Sequence, residues 1–167
     1  NMLEEYFDEY WSPLYNDEQA LAVAQLMSDV GRAMKMEYGR ESTTYNTAPF
    51  TALTDYFNYD PDLIQMIFRN MVSLAQWTEI IKKDINENRP VYYYGNSNAG
   101  GHMFVCDGYD SNDLFHINWG WGGYCDGFFD ITVLNPNSND GTGASVTADG
   151  FDMLNTIIVG IQPDNGV

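Results

Sequence analysis

Residues 92–134 constrain the fold more than any other stretch, because three apolar runs there are cut by glycine-rich turns. The stretch reads YYYGNSNAGGHMFVCDGYDSNDLFHINWGWGGYCDGFFDITVL. That pattern predicts a short antiparallel sheet. One strand is expected over 102–107 and the next over 113–119. The turn formers Gly108, Tyr109, Asp110, Ser111 and Asn112 join them. Pairing Asp107 with Asp113 places His102 directly opposite Asn118, with Cβ atoms about 5 Å apart on one face. In that register the Asn118 amide oxygen accepts from an imidazole N–H and fixes which ring nitrogen is free. This is the orienter's part in a nucleophile–base–orienter triad. The inference hangs on the register, since a one-residue slip carries Asn118 to the other face. On the hairpin alone, a His and an Asn satisfying each other in a core is the plainer account. The glycines shift the balance. Gly100 and Gly101 before His102, and Gly120, Gly122 and Gly123 after Asn118, remove side chains where another chain can approach.

A chain of 167 residues is long enough for one domain with a real core, and 44% hydrophobic content fits that. A net charge of −17 on only seven basic residues argues against nucleic acid and anionic membrane surfaces as partners. Two cysteines without framework spacing do not make a disulfide scaffold. No run approaches the roughly 20 apolar residues of a membrane span. The acidic opening Asn1-Met-Leu-Glu-Glu does not read as a signal peptide and looks like a processed or cut end.

The first half reads mainly as helix. Pro13 breaks an acidic, aromatic opening, and Asn16 or Asp17 then caps a helix running to Met34, with Glu18 and Gln19 in its first turn. Its apolar residues Leu21, Ala24, Met27, Val30 and Ala33 have helical spacing and predict a core helix. Thr47 is placed to cap a second helix to Phe57, with Pro49 in its first turn. A strand is expected at 63–68. Ser73 caps a third helix, with Leu74, Trp77, Ile80, Ile81 and Ile85 inward and Pro90 ending it. The sheet follows, then a polar loop over 135–150, and 151–161 closes the sheet. Helices followed by strands give an α+β class.

Neither cysteine is a good nucleophile for His102. Cys106 lies four residues along the same strand, about 13 Å away at the strand rise. Cys125 sits in the glycine loop, with nothing to place it at a helix N-terminus, and both cysteines are read as structural. His116 is read as structural too. A zinc site from His102, Cys106, His116 and Cys125 matches no compact finger or ribbon spacing. Gly95 to Gly101 lacks the Lys-Ser/Thr of a phosphate loop and precedes a strand. Asn135 to Gly141 lacks the closing glutamate of a calcium loop. No metal and no cofactor is expected.

The run Gly100-Gly101-His102-Met103-Phe104-Val105, then His116-Ile117-Asn118-Trp119-Gly120-Trp121-Gly122-Gly123, then Asp126-Gly127-Phe128-Phe129 and Leu134-Asn135-Pro136, closely resembles the streptopain family of bacterial cysteine proteases, peptidase family C10. The resemblance extends over Met27 to Gly39, Arg89 to Tyr93 and Val159 to Pro163. It implies a papain-like fold, with the 167 residues as the C-terminal portion of one catalytic domain, mainly helical over 1–89 and mainly antiparallel sheet over 90–163. By the same resemblance His102 is the general base, Asn118 orients it and Trp119 shields their hydrogen bond. Trp121 lines the cleft, Gly101 offers backbone to substrate, and Thr44 falls where a small hydroxyl residue contacts substrate. A loop at 138–150 borders the cleft. Tyr94 stands where some relatives carry a glutamine that helps hold the oxyanion. The family's catalytic cysteine lies in a Gly-Cys-Val-Ala-Thr-type segment at a helix start, which this sequence does not contain. The implied partners are an N-terminal segment bearing that cysteine, an inhibitory propeptide, and protein or peptide substrates; the implied location is outside the cell. A protease-shaped domain that binds or inhibits without a thiol is the competing expectation.

Overall fold

A computed structural model of the chain describes residues 15–40, 42–98, 100–136 and 150–164. The acidic opening and nearly all of the expected cleft loop at 138–150 lie outside the described residues. The chain groups into two compact units, Asn1–Ala52 and Leu53–Val167.

In the first unit, helix α1 (Asp17–Ala33) starts where the sequence says it should. Asn16 Oδ1 accepts from the Gln19 amide at 3.0 Å, and Gln19 Oε1 accepts from the Asn16 amide at 2.9 Å. This reciprocal capping satisfies two N–H groups that the helix itself cannot. The helix is not the core element expected of it. Leu21, Leu26 and Met27 are 70%, 55% and 66% exposed. Spacing specifies a helix and its apolar stripe, but not what covers the stripe. Helix α2 (Ala48–Tyr56) carries Pro49 in its first turn, where a missing N–H costs nothing.

The second unit is a six-stranded sheet. Its strands are β1 (Gln65–Phe68), β2 (Val91–Ser97), β3 (Gly100–Tyr109), β4 (Phe115–Asn118), β5 (Gly127–Phe129) and β6 (Met153–Val159). They lie in the order β1-β6-β2-β3-β4-β5, and every neighbouring pair is antiparallel. The last strand therefore inserts between β1 and β2, one place in from the edge. Its residues 155–159 are all buried, as an interior strand covered on both faces should be.

Helix α3 (Leu74–Asn86) packs on one face of this sheet, started by a capping box between Ser73 and Gln76. Trp77 and Ile81 are wholly buried, and Ile80 and Ile85 pack against the same cluster. Leu74, expected inward, is 42% exposed because it lies in the first turn. Val91 and Tyr93 of β2, Phe104 and Cys106 of β3, and Phe115 and Ile117 of β4 join them in the core, with Phe129 of β5 and Ile157 and Val159 of β6. Those of β2, β3 and β4 are alternate residues, so each of these three strands shows one face to α3. Among the described residues no helix is long and apolar enough to cross a membrane.

The β3–β4 hairpin corrects the expected register. The turn sits at 110–114 rather than 108–112. Asp110 Oδ1 accepts from the amides of Asn112 and Leu114 at 2.8 and 2.9 Å, and Asp113 takes a left-handed φ of +63°. Tyr109 therefore pairs with Phe115 and Gly108 with His116. A bulge at Asp107 then removes one step, so Cys106 pairs with Ile117 and Val105 with Asn118. Moving the turn alone would have kept His102 and Asn118 on one face. The single extra residue reverses the parity and sends Asn118, with Val105, to the face away from His102 and Phe104.

Candidate active site

His102 is half-buried near the start of β3, opposite Gly95 of β2. Gly95 is itself at a register shift between β2 and β6. A side chain there is not tolerated, since a Cβ would lie 2.4 Å from the Phe151 carbonyl oxygen. Asn155, buried on β6, donates to that same oxygen at 2.7 Å. Phe151 is thereby drawn over the sheet toward the imidazole.

Four aromatic rings surround His102. Ring centroids of Trp121, Phe151, Phe104 and Trp119 lie 4.9, 5.6, 6.0 and 6.4 Å from its own. Trp121 and Trp119 both lie nearly parallel to the imidazole, at 27° and 18°. Trp119 is wholly buried, whereas Trp121 is 40% exposed and forms the solvent side of the cage.

One hydrogen bond decides the chemistry. His102 Nε2 lies 2.9 Å from the main-chain oxygen of Trp119. A carbonyl can only accept, so Nε2 carries the proton. In the neutral ring Nδ1 then keeps its lone pair and is the free basic nitrogen. The acceptor at Nε2 is thus the Trp119 carbonyl, where the sequence predicts the Asn118 amide. No direct bond joins His102 to Asn118; Asn118 Oδ1 instead accepts from the Gly120 amide at 2.9 Å. That amide N–H and the Trp119 carbonyl belong to one peptide group. Asn118 therefore steadies the peptide group that meets His102 Nε2. Hydrogen bonding at the N–H also polarises the carbonyl, making it a better acceptor. Gly120 adopts φ +76°, which a residue with a Cβ takes at a cost.

The other predicted residues are placed as follows. Gly101 is exposed on β3, and the Tyr94 ring lies against it, 2.5 to 2.9 Å from where a Cβ would be. By register Tyr94 is on the face opposite His102, as its partner Met103 is. Thr44 belongs to the first unit, where its hydroxyl donates to the Met34 carbonyl at 2.6 Å, next to the end of α1. His116 is paired with Asp107 at 2.6 Å and meets the edge of Phe128. Among the described residues no three His, Cys, Asp or Glu side chains gather as metal ligands.

Both cysteines are free. Cys106 is buried beneath α3, and burial, aided by the Asp107 charge, pushes its thiol up to about 12. Cys125 is half-buried in the glycine loop with φ +63°. At mildly alkaline pH Cys106 should hold roughly a thousandfold less thiolate than an ordinary cysteine. Timed iodoacetamide labelling of the folded chain, read by peptide mass spectrometry, is expected to modify Cys125 well before Cys106. Equal labelling rates would contradict this placement.

Sequence reasoning missed Phe151, Gly95 and the Trp119 carbonyl. Gly95 left a signal, as a glycine interrupting a tyrosine-rich strand. A main-chain acceptor leaves none.

A model of the Peptidase C10 family matches residues 1–129. The chain belongs to the peptidase C10 family. It is 41% identical over 146 residues to streptopain of Streptococcus pyogenes serotype M28 (strain MGAS6180), covering 87% of this chain and 36% of that protein. It is 38% identical over 147 residues to the thiol protease/hemagglutinin PrtT of Porphyromonas gingivalis, covering 87% of this chain and 16% of that one. The chain thus spans about a third of the streptopain it matches. Among solved structures, active wild-type interpain A cysteine protease of Prevotella intermedia superposes with a TM-score of 0.76 at 30% identity, over 90% of this chain and 60% of that one. The fold is the α+β, papain-like fold expected from the sequence.

Proposed function

We propose that this C10 chain supplies the general base of a secreted bacterial cysteine endopeptidase, and that a thiol on a polypeptide segment outside these 167 residues completes it. The observation that carries the reading is the bond from His102 Nε2 to the Trp119 carbonyl, which leaves Nδ1 free to take a proton. In the proposed reaction Nδ1 accepts the thiol proton, and the thiolate attacks the scissile carbonyl carbon. The tetrahedral intermediate collapses to a thioester as the imidazolium returns its proton to the leaving amine. Nδ1 then deprotonates a water that attacks the thioester, releasing the acid and restoring the thiol. Throughout, Trp119 holds Nε2–H and supports the imidazolium, while Trp121 lines the mouth. Asn118 serves at one remove, through the Gly120 amide. The buried Cys106 is in no position to be the nucleophile. Protein or peptide substrates, a location outside the cell and an inhibitory propeptide belong to this reading, by likeness to the family.

Mixing the chain with a separately produced thiol-bearing N-terminal portion of a C10 relative tests it. Hydrolysis of a denatured protein substrate is expected, present only in the mixture and blocked by prior alkylation of the added portion. A stable complex without hydrolysis would overturn the enzymatic reading and leave a protease-shaped binding or inhibitory domain.

A further inference from the structure

The carbonyl that orients His102 is useful only if its peptide is held, and β4 does not hold it. The β4–β5 ladder ends at Ile117 and Gly127. Beyond it the backbone turns left-handed four times, at Gly120 (+76°), Gly122 (+62°), Gly123 (+83°) and Cys125 (+63°). No strand partner remains for the Trp119 amide. A side chain takes that place: Asp126 Oδ1 accepts from Trp119 N–H at 2.8 Å. Asp126 is half-buried at the far end of the loop, its own amide bonded to the Gly123 carbonyl at 3.3 Å. Residue 119 is therefore gripped on both sides. Its N–H is fixed by Asp126, and its carbonyl lies in the peptide whose N–H is fixed by Asn118.

We propose that Asp126 is a positioning residue for the base: by anchoring the Trp119 amide, it aims the Trp119 carbonyl at His102 Nε2 and so sets the imidazole tautomer. This rests on the reading of His102 as the base, but the geometry it concerns exists in the 167-residue chain alone. The carboxylate acts here as a hydrogen-bond acceptor. Asparagine, which keeps a carbonyl oxygen at the same reach, should therefore substitute for it, and alanine should not.

The test is the tautomer of His102, read from ¹⁵N shifts of both ring nitrogens in the labelled chain above the pH at which the ring is protonated. The unaltered chain and Asp126→Asn are expected to show one form, protonated on Nε2. Asp126→Ala is expected to show both forms in exchange. In the assembled peptidase Asp126→Ala should then lower kcat by roughly tenfold to a hundredfold with KM changed less than about twofold, while Asp126→Asn stays within a few fold. A loop that merely needs closing would move KM and the melting temperature without moving the tautomer. An Nε2-protonated ring retained in Asp126→Ala would overturn the proposal. So would mixed tautomers in a folded Asp126→Asn chain, and this second arm decides the matter if the alanine chain fails to fold. Correct tautomers in a chain that never yields a peptidase would count against the proposed function and leave the positioning role intact.

Discussion

His102→Ala is expected to lower kcat/KM of the assembled peptidase on the order of a thousandfold or more. The imidazole has two tasks in the proposed cycle, taking the thiol proton and protonating the amine, and no other side chain described in its aromatic cage can do either. His116 cannot stand in, since it is engaged with Asp107 on another part of the sheet. The effect should fall on kcat, with substrate binding and circular dichroism nearly unchanged, because a half-buried ring is lost from a cage that Trp119 and Phe104 still fill. Asn118→Ala should cost less. Asn118 reaches the imidazole only through the Gly120 amide, and the Trp119 carbonyl survives its removal. If His102→Ala keeps more than about a tenth of the activity, the role given to it is wrong.

The largest expected loss of stability is at Asp84. This carboxylate is only 4% exposed, on the last turn of α3. Its Oδ1 accepts from Arg89 Nη2 at 2.6 Å and its Oδ2 from the Gly160 amide at 2.5 Å. Arg89 in turn reaches Gln162 at 3.1 Å. One side chain thus ties the end of the helix to the chain leaving β6. Gly160 is held at φ +71° against Leu63, where a Cβ would lie 2.1 Å from a carbonyl oxygen. Asp84→Ala removes the acceptor and leaves the Gly160 N–H buried without one, while the half-buried Arg89 keeps Glu87 and Gln162 as partners. The expected cost is about 2 to 3 kcal/mol, read as a shift in the urea midpoint with an unchanged slope. Asp84→Asn should cost less, since one oxygen remains to accept. A change below about 1 kcal/mol for the alanine chain would show that water replaces the carboxylate.

Much of the fold was legible because local chemistry wrote it. Asn16 with Gln19 and Ser73 with Gln76 announce two helix starts, and Trp77 and Ile81 face inward as their spacing requires. The α1 stripe was legible as a stripe, but its exposure depends on tertiary context that spacing does not carry. The site was legible in its residues and misread in its geometry. His102, Trp119 and Trp121 do come together, and the reading tied everything to a face-to-face His102–Asn118 pair that does not form. The family assignment stands without that pair, on similarity along most of the chain. Composition at Asp107 looks like any strand-end aspartate, so the bulge, and with it the parity of Asn118, could not be read in advance. Likewise the clustering of Phe151 on His102 depends on β6, from the far end of the chain, inserting beside β2.

The main-chain acceptor opposite His102 Nε2 has an evolutionary consequence. Where an amide side chain steadies a catalytic imidazole, a point substitution can delete the contact. Here the acceptor is part of the polymer itself and has no codon of its own. Scanning each position in turn would leave the oxygen present and only loosen its mountings. Removing Asp107 would not reverse this: it would only make the ladder regular, with Val105 still opposite Asn118 and the carboxamide still on the far side of the sheet from the ring.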